Sequence, residues 1–328
     1  MSGEFNLIAK YFAPLAAGAP GAFGLKDDVA AIAAGDLAVT KDLLVEGVHF
    51  RSRDPKECIA RKALRVNLSD LAAKGARPFG YFLGCVWPAG VKESAIAEFA
   101  GGLRLDQDLF KIALFGGDTT AHVQKGAPLT VSITMIGLQG PAGVIPRAGA
   151  KAGDDVYVSG TIGDAGLGLA ALEGEFKLSS AHKTFLADRY RLPSPRLSLG
   201  GALGGHANSA IDVSDGLIAD AQHIATQSGV AIEIDAEKIP LSAPAKAWLG
   251  IFGDFESGIA RLAASGDDYE ILFTAPSSRR RSIEIASQVS KTAITRIGSV
   301  ARGAGVRLLT ANGTAIAVAK GGFDHFGG

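Results

Sequence analysis

The strongest constraint on the fold comes from the segment KDDVAAIAAGDLAVTKDLLVEGVHF, residues 26–50. It begins with the acidic pair Asp27–Asp28 and continues as two apolar runs separated by Gly35–Asp36. Short apolar runs bounded by turn residues predict strands, so the segment should fold as two strands joined by a turn. Its aspartates then either serve as ordinary turn residues or face a functional site beside the strands.

The second predicted strand carries Thr40, Lys41 and Asp42 in succession. Because alternate side chains of a strand share a face, Thr40 and Asp42 should point one way and Lys41 the other. An oxygen-only pair near further carboxylates is typical of a site for a hard cation such as Mg²⁺. The alternative, in which the neighbouring aspartates only stabilise turns, stays open at this point.

The composition describes a folded, electrically neutral chain of 328 residues, which is long enough for about two domains. Hydrophobic residues make up 47% of the chain, which argues against disorder. Lys plus Arg equals Asp plus Glu at 33 each, so no excess positive charge favours nucleic acid or an anionic membrane. An anionic substrate must therefore be held by local groups or by metals.

The remaining global features predict a cytoplasmic protein. Cys58 and Cys85 lie in apolar surroundings without metal-ligand or redox spacing, which predicts structural thiols in a reducing compartment. Residues 4–17 predict an amphipathic helix, and this segment lacks the charged start and long apolar run of a signal peptide. No apolar run approaches the length of a bilayer-spanning helix.

The first half of the chain contains a long predicted helix that begins at Pro55 and ends at Gly75. Its polar sequence NLSD, residues 67–70, either lies on the surface or marks a bend that aims Asp70 at a site. The other elements predicted for this half are strands at 78–87 and 128–138, an apolar strand that begins at 112 and leads into residues 116–120, and a helix at 91–110.

An apolar strand runs directly into the sequence GGDTT, residues 116–120. Glycines at a strand end let backbone N–H groups approach a phosphate closely. An acid directly after them, Asp118, suits a metal that bridges phosphate oxygens. A plain turn would use the same residue types, but the position after a strand favours a functional role.

The predicted domain boundary is the Gly-, Pro- and Ala-rich segment 137–155, which divides the chain into domains at 1–140 and 141–328. Arg147 lies in this segment. An arginine here is either solvated or placed to pair with a phosphate through its guanidinium fork.

In the second half, a short predicted strand at 210–213 is followed by Ser214, Asp215 and a helix with a clean apolar stripe. Asp212 and Asp215, at the strand end and the helix start, predict a second acidic cluster. The alternative, that Ser214 or Asp215 only caps the helix, leaves Asp212 unexplained. His223 lies inside the helix and is interpreted as a structural or surface residue. The other elements predicted here are helices at 179–191, 195–206 and 277–290, a strand at 269–274, and a hairpin with its turn at 312–313.

Seven motifs occur together and in order: KDDVAAI, VTKDLLVEGVHF, VNLSDLAAKGARP, FGGDTT, IDVSDGL, SGDDYEILFT and GFDHF. Together they resemble the thiamine-monophosphate kinases, a family within the aminoimidazole ribonucleotide synthetase-like superfamily. The resemblance implies an α/β (α+β) fold of two domains. The N-terminal domain, 1–140, would bind ATP and Mg²⁺ and form a β-barrel shared in a homodimer, and 141–328 would form an α/β domain.

The resemblance also implies an activity and a set of site residues. The family transfers the γ-phosphate of ATP to thiamine monophosphate and uses several Mg²⁺ ions. Carried onto this sequence, the metal ligands would be Asp28, Thr40, Lys41, Asp42, Asp70, Asp118, Asp212 and Asp215. The ATP contacts would be Gly117, Asp118, Arg147 and Ser214, and the thiamine monophosphate contacts would be His49, Asp267 and Phe323.

Three residues depart from the family pattern. Lys26 stands where the family usually has Gly, and Lys41 replaces a hydroxyl residue, so that only a backbone contact to metal is expected there. Asp267 replaces the family's Glu and is shorter by roughly 1.5 Å. The contact to substrate then runs through water, or the pocket closes by that distance.

The chemistry explains why such a chain would need many aspartates. At an effective dielectric constant of about 20, two unit charges 4 Å apart repel by about 4 kcal/mol, so ATP and a phosphate monoester cannot meet without counter-charge. The attacking phosphate oxygen is largely ionised at neutral pH, so no general base is required. We therefore expect direct in-line transfer without a phospho-enzyme.

Two alternatives remain open from the sequence. One is another ATP-using member of the superfamily that acts on a different small molecule, and the other is a non-catalytic regulator that binds Mg²⁺ and nucleotide. The chain carries neither a Walker-type loop nor the protein-kinase motifs, so any ATP site must be a metal-rich acidic cleft.

Overall fold

A computed structural model describes residues 23–24, 26–32, 36–318 and 321–323. Residues 36–138 and the strand before them form a mixed five-stranded sheet with the order β1-β2-β5-β3-β4. Its strands are β1 Ala30–Ile32, β2 Leu37–Val45, β3 Arg77–Trp87, β4 Ala113–Ala121 and β5 Thr130–Leu138. The predicted helix at 4–17 and the predicted turn residue Gly35 lie outside the described residues.

Two helices, α1 Lys56–Ala73 and α2 Glu93–Phe110, accompany this sheet. The apolar residues of α1, among them Leu64, Leu68 and Leu71, are completely buried in one cluster with Ile133 and Met135 of β5. The predicted start at Pro55 and end before Gly75 are confirmed. The alternative that the NLSD sequence lies on the surface is wrong, because Asn67 and Ser69 are buried, and α1 continues through this sequence without a break.

The described residues leave the other face and the outer edge of this sheet uncovered. Nearly every residue of β4 is exposed, and Phe82 and Phe115 lie in edge-to-face contact on the exposed side. The GGDTT sequence lies within β4 and not in a loop after it, so the predicted strand-end loop is wrong. The predicted buried strand at 78–87 is only half buried, because its side chains alternate between the core and the open face. Among the described strands, neither sheet closes into a barrel.

The rest of the chain forms a seven-stranded sheet with the order β12-β11-β8-β10-β6-β9-β7 and helices around it. Its strands are β6 Asp154–Ser159, β7 Ser209–Asp212, β8 Ala231–Asp235, β9 Ile271–Pro276, β10 Ile294–Ala301, β11 Gly305–Leu309 and β12 Ala315–Ile316. Its helices are α3 Asp164–Glu173, α4 Ser180–Arg191, α5 Leu197–Leu203, α6 Leu217–Ser228, α7 Ala243–Phe252, α8 Phe255–Ala263 and α9 Arg280–Ser290. The predicted hairpin is confirmed, with Gly313 at a φ of 83° in the turn between β11 and β12.

The C-terminal end of α1 packs against the second sheet and joins the two halves. Ala72 and Ala73 are completely buried in a cluster with Leu199 of α5 and Ile271 of β9. The backbones approach so closely that a Cβ on Gly200 would lie 1.8 Å from the carbonyl oxygen of Ala72. Residues near the end of α1 therefore face the end of β7. The helices that the structure covers include none with the length and apolar character that crossing a bilayer requires.

Candidate active site

Three aspartates from different parts of the chain meet where α1 contacts the second sheet. Asp28 precedes β1, Asp70 lies in the last turn of α1 and Asp212 ends β7, and one carboxylate oxygen of each lies within 4.8 Å of the others. We call Asp28, Asp70 and Asp212 the acidic cluster. Thr40 of β2 donates a hydrogen bond to Asp70 Oδ2. The sequence-predicted ligands of β1–β2, α1 and β7 are thus brought together.

The acidic cluster is crowded with negative charge. Burial raises the pKa of Asp70 well above its ordinary value, and the charges of Asp42 and Asp212 raise it further. Burial likewise raises the pKa of Asp42 to about 6 and that of Asp212 to about 6. These carboxylates and the Thr40 hydroxyl offer only oxygen donors, which fit a hard divalent cation such as Mg²⁺.

Two cations of the chain already contact the acidic cluster. Lys74 is fully buried, and its Nζ lies 2.9 Å from Asp27 Oδ1 and 2.7 Å from Asp28 Oδ2. Arg147, which is also buried, contacts Asp28 Oδ1 through Nη2, and its backbone N–H donates to Asp27 Oδ2 at 3.0 Å. Of the two alternatives for Arg147, the solvated one is therefore wrong, because the guanidinium is paired inside the protein.

A second cluster of possible metal ligands lies at the start of α6. Oxygen atoms of Asp215 and Asp220 and a ring nitrogen of His223 lie within 4.8 Å of one another. Asp220 Oδ2 accepts the backbone N–H groups of Asp215 and Gly216 at 3.2 and 3.1 Å. The helix begins after Gly216 without a side-chain cap, so the alternative that Ser214 or Asp215 is the cap is wrong. Burial lowers the pKa of His223 to about 4, which keeps the imidazole neutral at neutral pH.

A cavity of about 450 Å³ opens beside Asp42 of β2 and Asp215 of the second cluster. All three predicted substrate residues, His49, Asp267 and Phe323, line it. Other side chains that line it include Asp42, Leu169, Tyr190, Ser214, Asp215 and Tyr269. One end of this pocket therefore carries predicted metal ligands, and the rest offers aromatic, apolar and hydrogen-bonding surface.

Lys62 of α1 supports the wall of this pocket and was missed in the sequence. Its side chain is 2% exposed, and its Nζ donates to the His49 carbonyl oxygen at 2.8 Å and to Asp267 Oδ2 at 3.0 Å. The ammonium also lies 3.9 Å from the centre of the Tyr190 ring. A single buried charge thus contacts three segments that form the pocket. One oxygen of Asp267 is held by Lys62 and is not available to substrate.

The backbone around Asp267 is unusual. Asp267 and Tyr269 both adopt left-handed conformations, with φ of 69° and 50°. Their N–H groups donate to the carbonyl oxygens of Ser214 and Val213, each at 2.8 Å. Gly266 allows this approach, because a Cβ there would lie 2.4 Å from the Ser214 carbonyl oxygen. The segment is therefore fastened to the end of β7, beside Asp215.

Two buried acids behind this segment were also missed. Asp268 accepts the N–H groups of Gly163 at 2.5 Å and Ala165 at 3.0 Å, at the start of α3. Burial raises the pKa of Asp268 to about 8. Glu270 is completely buried and pairs with Arg189 at 2.8 Å and Arg196 at 2.5 Å. These contacts hold the Asp267 backbone in place from the side away from the pocket.

Gly117 and Asp118 lie apart from the acidic cluster within one chain. By register, Asp118 shares a row with Gly84, Ser132 and Leu43, so it lies on the sheet face opposite to Asp42. Three strand spacings also separate β4 from β2, which is roughly 14 Å. A Cβ on Gly117 would lie 1.8 Å from the Leu83 carbonyl oxygen, so close pairing with β3 already explains this glycine.

Lys41 follows its strand alternation. Its side chain lies on the face away from Thr40 and Asp42 and donates to Ser132 Oγ. The prediction that its side chain leaves the acidic face is therefore confirmed, and only its backbone remains near the other predicted ligands. Lys62, Lys74 and Asp220 could have been found in the sequence, because each places a charge inside a predicted apolar helix stripe or at its buried end.

Comparison with known proteins identifies the family. The model of the AIR synthase related protein N-terminal domain matches residues 26–139, and that of the C-terminal domain matches residues 151–309. Thiamine-monophosphate kinase of Caulobacter vibrioides is 44% identical over 92% of this chain and 85% of its own length. The Escherichia coli thiamine-monophosphate kinase is 35% identical over 99% of this chain and 98% of its own length.

A solved structure of AaThiL complexed with AMPPCP and TMP superimposes with a TM-score of 0.85. It is 32% identical in sequence and covers 99% of this chain and 97% of its own. The match extends over both sheets and over the acidic cluster that joins them. The chain therefore belongs to the AIR synthase related family and, within it, to the thiamine-monophosphate kinases.

Proposed function

We propose that this protein transfers the γ-phosphate of ATP to thiamine monophosphate and produces thiamine diphosphate, with Mg²⁺ as cofactor. One observation carries the proposal: the lining of a single pocket of about 450 Å³ combines the predicted metal ligands Asp42 and Asp215 with the predicted substrate residues His49, Asp267 and Phe323. A phosphate monoester needs such a pocket, because its phosphate must meet metal while its organic part meets protein. The curated relatives and the complex with AMPPCP and TMP support the same reaction.

The acidic groups supply the metal sites in this proposal. Bound Mg²⁺ would supply the positive charge that offsets the repulsion between ATP and the acceptor phosphate. Oxygen atoms would come from the side chains of Asp28, Thr40, Asp42, Asp70, Asp212 and Asp215 and from the backbone of Lys41. Burial raises the pKa values of Asp42, Asp70 and Asp212, neighbouring carboxylates raise those of Asp70 and Asp212 further, and a bound cation would relieve both effects.

The nucleotide would be held mainly by backbone groups and one arginine. Ser214 lies between the acidic cluster and the pocket, and Arg147 lies against Asp28. The Arg147 guanidinium can pair with phosphate in a fork geometry once a metal neutralises Asp28. Gly117 and Asp118 would contact ATP and a further metal at the open edge of the first sheet.

No side chain needs to act as a general base. The attacking oxygen belongs to a phosphate whose second pKa is about 6, so it is ionised at neutral pH. His49 has a structural task already, because its Nδ1 accepts the Val45 N–H at 3.0 Å. The transfer would therefore be direct and in line, and the side chains position the two phosphates.

We further propose a homodimer formed through the open edge and face of the first sheet. An exposed edge strand offers unpaired N–H and C=O groups for another strand. Around β4 this surface also exposes large apolar side chains, namely Phe79, Phe82, Leu114 and Phe115, each 43–48% exposed. Covering these groups with a second copy would build a barrel from two sheets, and it would place Asp118 at the subunit interface.

ADP release in the presence of ATP and Mg²⁺, with and without thiamine monophosphate, tests the proposed function. We expect release to depend on thiamine monophosphate and the product to be thiamine diphosphate, identified by chromatography. Release with an aminoimidazole precursor or selenide instead would indicate another superfamily activity. Nucleotide binding without any ADP release would indicate a regulator and would reject the kinase.

A further inference from the structure

Lys74 is the C-cap residue that directly follows α1, and its side chain is fully buried. An ammonium group has three protons to donate. It has three oxygen acceptors within reach, namely Asp27 Oδ1 at 2.9 Å, Asp28 Oδ2 at 2.7 Å and the Ala210 carbonyl oxygen at 2.7 Å. The ammonium therefore lies in an all-oxygen environment, with one hydrogen bond to a carbonyl oxygen and two ion pairs to carboxylates.

The backbone at Lys74 is fixed as well. Its N–H donates to the Asp70 carbonyl oxygen at 3.1 Å, and its own carbonyl oxygen accepts the Ile145 N–H at 3.1 Å. Ala210 lies two residues before Asp212 on β7. The ammonium therefore links three parts of the metal site: the Asp27–Asp28 pair, the end of α1 with Asp70, and the strand that carries Asp212.

The two cations that contact Asp28 differ in how strongly the fold holds them. Asp28 Oδ2 faces Lys74, and Asp28 Oδ1 faces Arg147. Arg147 belongs to the segment between the two sheets, whereas Lys74 is held by helix, carbonyl and carboxylates together. Both side chains are buried, with 9% of Arg147 and none of Lys74 exposed.

We infer that Lys74 is a built-in cation of the metal site. Its ammonium occupies the inner side of Asp28, holds the acidic cluster assembled without metal, and weakens the affinity for Mg²⁺ by its own positive charge. Lys74 is a positioning residue that acts through Asp28 and Asp27, and the inference rests on the magnesium site proposed above. It reduces the number of divalent ions that the Asp27–Asp28 pair must recruit.

Titration of the full-length protein with Mg²⁺ alone tests this inference by calorimetry, without any kinase assay. Lys74→Met removes the charge and keeps most of the stem. We expect Mg²⁺ to bind at least about tenfold more tightly, because a unit charge close to the metal is lost. The Tm of Lys74→Met should fall in EDTA and recover in saturating Mg²⁺, because the metal then supplies the missing positive charge.

Lys62→Met is the matched control, because Lys62 is equally buried on the same helix but pairs with Asp267 outside the acidic cluster. It should lower the Tm by the same amount with and without Mg²⁺ and leave the Mg²⁺ affinity within about twofold. If Lys74→Met is insoluble, Lys74→Gln, which keeps a donor for the Ala210 carbonyl oxygen, is titrated under the same criteria.

Unchanged or weaker Mg²⁺ binding in the Lys74 variant would overturn the inference, as would a Tm loss that Mg²⁺ does not reduce. A wild type that binds no Mg²⁺, or a Lys74→Gln protein that stays unfolded in saturating Mg²⁺, would also overturn it. Absence of ADP release in the wild type, by contrast, rejects the proposed kinase activity and leaves these binding results intact.

Discussion

Asp212→Asn should make the metal-free protein more stable and the enzyme inactive. Asp212 is 3% exposed, and burial raises its pKa from 3.8 to about 6. At about 1.36 kcal/mol per unit, ionised Asp212 costs the folded state about 3 kcal/mol near pH 8. Burial is the largest cause of this shift, the charge of Asp42 adds to it, and the charges of Lys74 and Arg147 oppose it.

The sign follows from the direction of the pKa shift. The folded pKa of Asp212 lies above the unfolded value, so between these values the folded state binds more protons and stability falls as pH rises. Asn carries no charge at any pH, so its advantage should be about 3 kcal/mol near pH 8 and about 1.6 kcal/mol near pH 5.

Thermal denaturation in EDTA measures this advantage. We expect Asp212→Asn to raise the Tm by roughly 6 °C near pH 8 and by about half as much near pH 5. Saturating Mg²⁺ should stabilise the wild type far more than the variant, and thiamine monophosphate-dependent turnover should fall at least about a hundredfold. A Tm for Asp212→Asn equal to or below the wild-type value near pH 8 would refute the reasoning, as would an advantage independent of pH.

Three further variants separate metal, substrate and subunit contacts. Asp118→Asn should lower turnover at least about a hundredfold in steady-state assays. It should leave the Tm nearly unchanged, because the Asp118 side chain is exposed. The control Asp108→Asn, on the exposed face of α2, should change neither turnover nor Tm. Lys62→Met should raise the KM for thiamine monophosphate about tenfold with little change in the KM for ATP. This effect should disappear in an Asp267→Asn background, because Lys62 acts through Asp267. Additive effects of the two substitutions would contradict a role for the Lys62–Asp267 contact. Phe115→Glu should convert a dimer to a monomer in sedimentation equilibrium, since a charge would be buried in an apolar contact, and a dimer that persists would place the interface elsewhere.

Several helices and strands can be predicted from the sequence, because residues at their ends mark where each element begins or stops. The long helix α1 has Pro at its start and Gly at its end, and the hairpin between β11 and β12 has Asn312–Gly313. Strand alternation correctly separated Lys41 from Thr40 and Asp42. The division at 137–155 and the individual roles of the predicted site residues remain predictions.

Other features depend on tertiary contacts that no local pattern reports. Glycine favours turns, so the GGDTT sequence predicts the end of a strand. In the structure it pairs with β3 as part of β4, and the two backbones approach so closely that only glycine fits at position 117. Arg147 looked solvated because it lies in a polar connection, and its partner Asp28 is more than a hundred residues away in sequence. Lys62 and Lys74 looked like ordinary helix lysines, because only the second sheet and the 266–270 segment bury them.

Two residues of α1, Lys62 and Asp70, lie eight positions apart in the sequence. Lys62 lies beside the pocket lined by Asp267, and Asp70 belongs to the acidic cluster. A helix rises 1.5 Å per residue, so the distance between these two groups is fixed at about 12 Å along its axis by residue count alone. One inserted residue between them would rotate Asp70 by about 100° and turn it away from Asp212, although every side chain needed for the reaction would still be present. The length of this helical interval therefore sets how far the reacting phosphate can lie from the organic part of the acceptor.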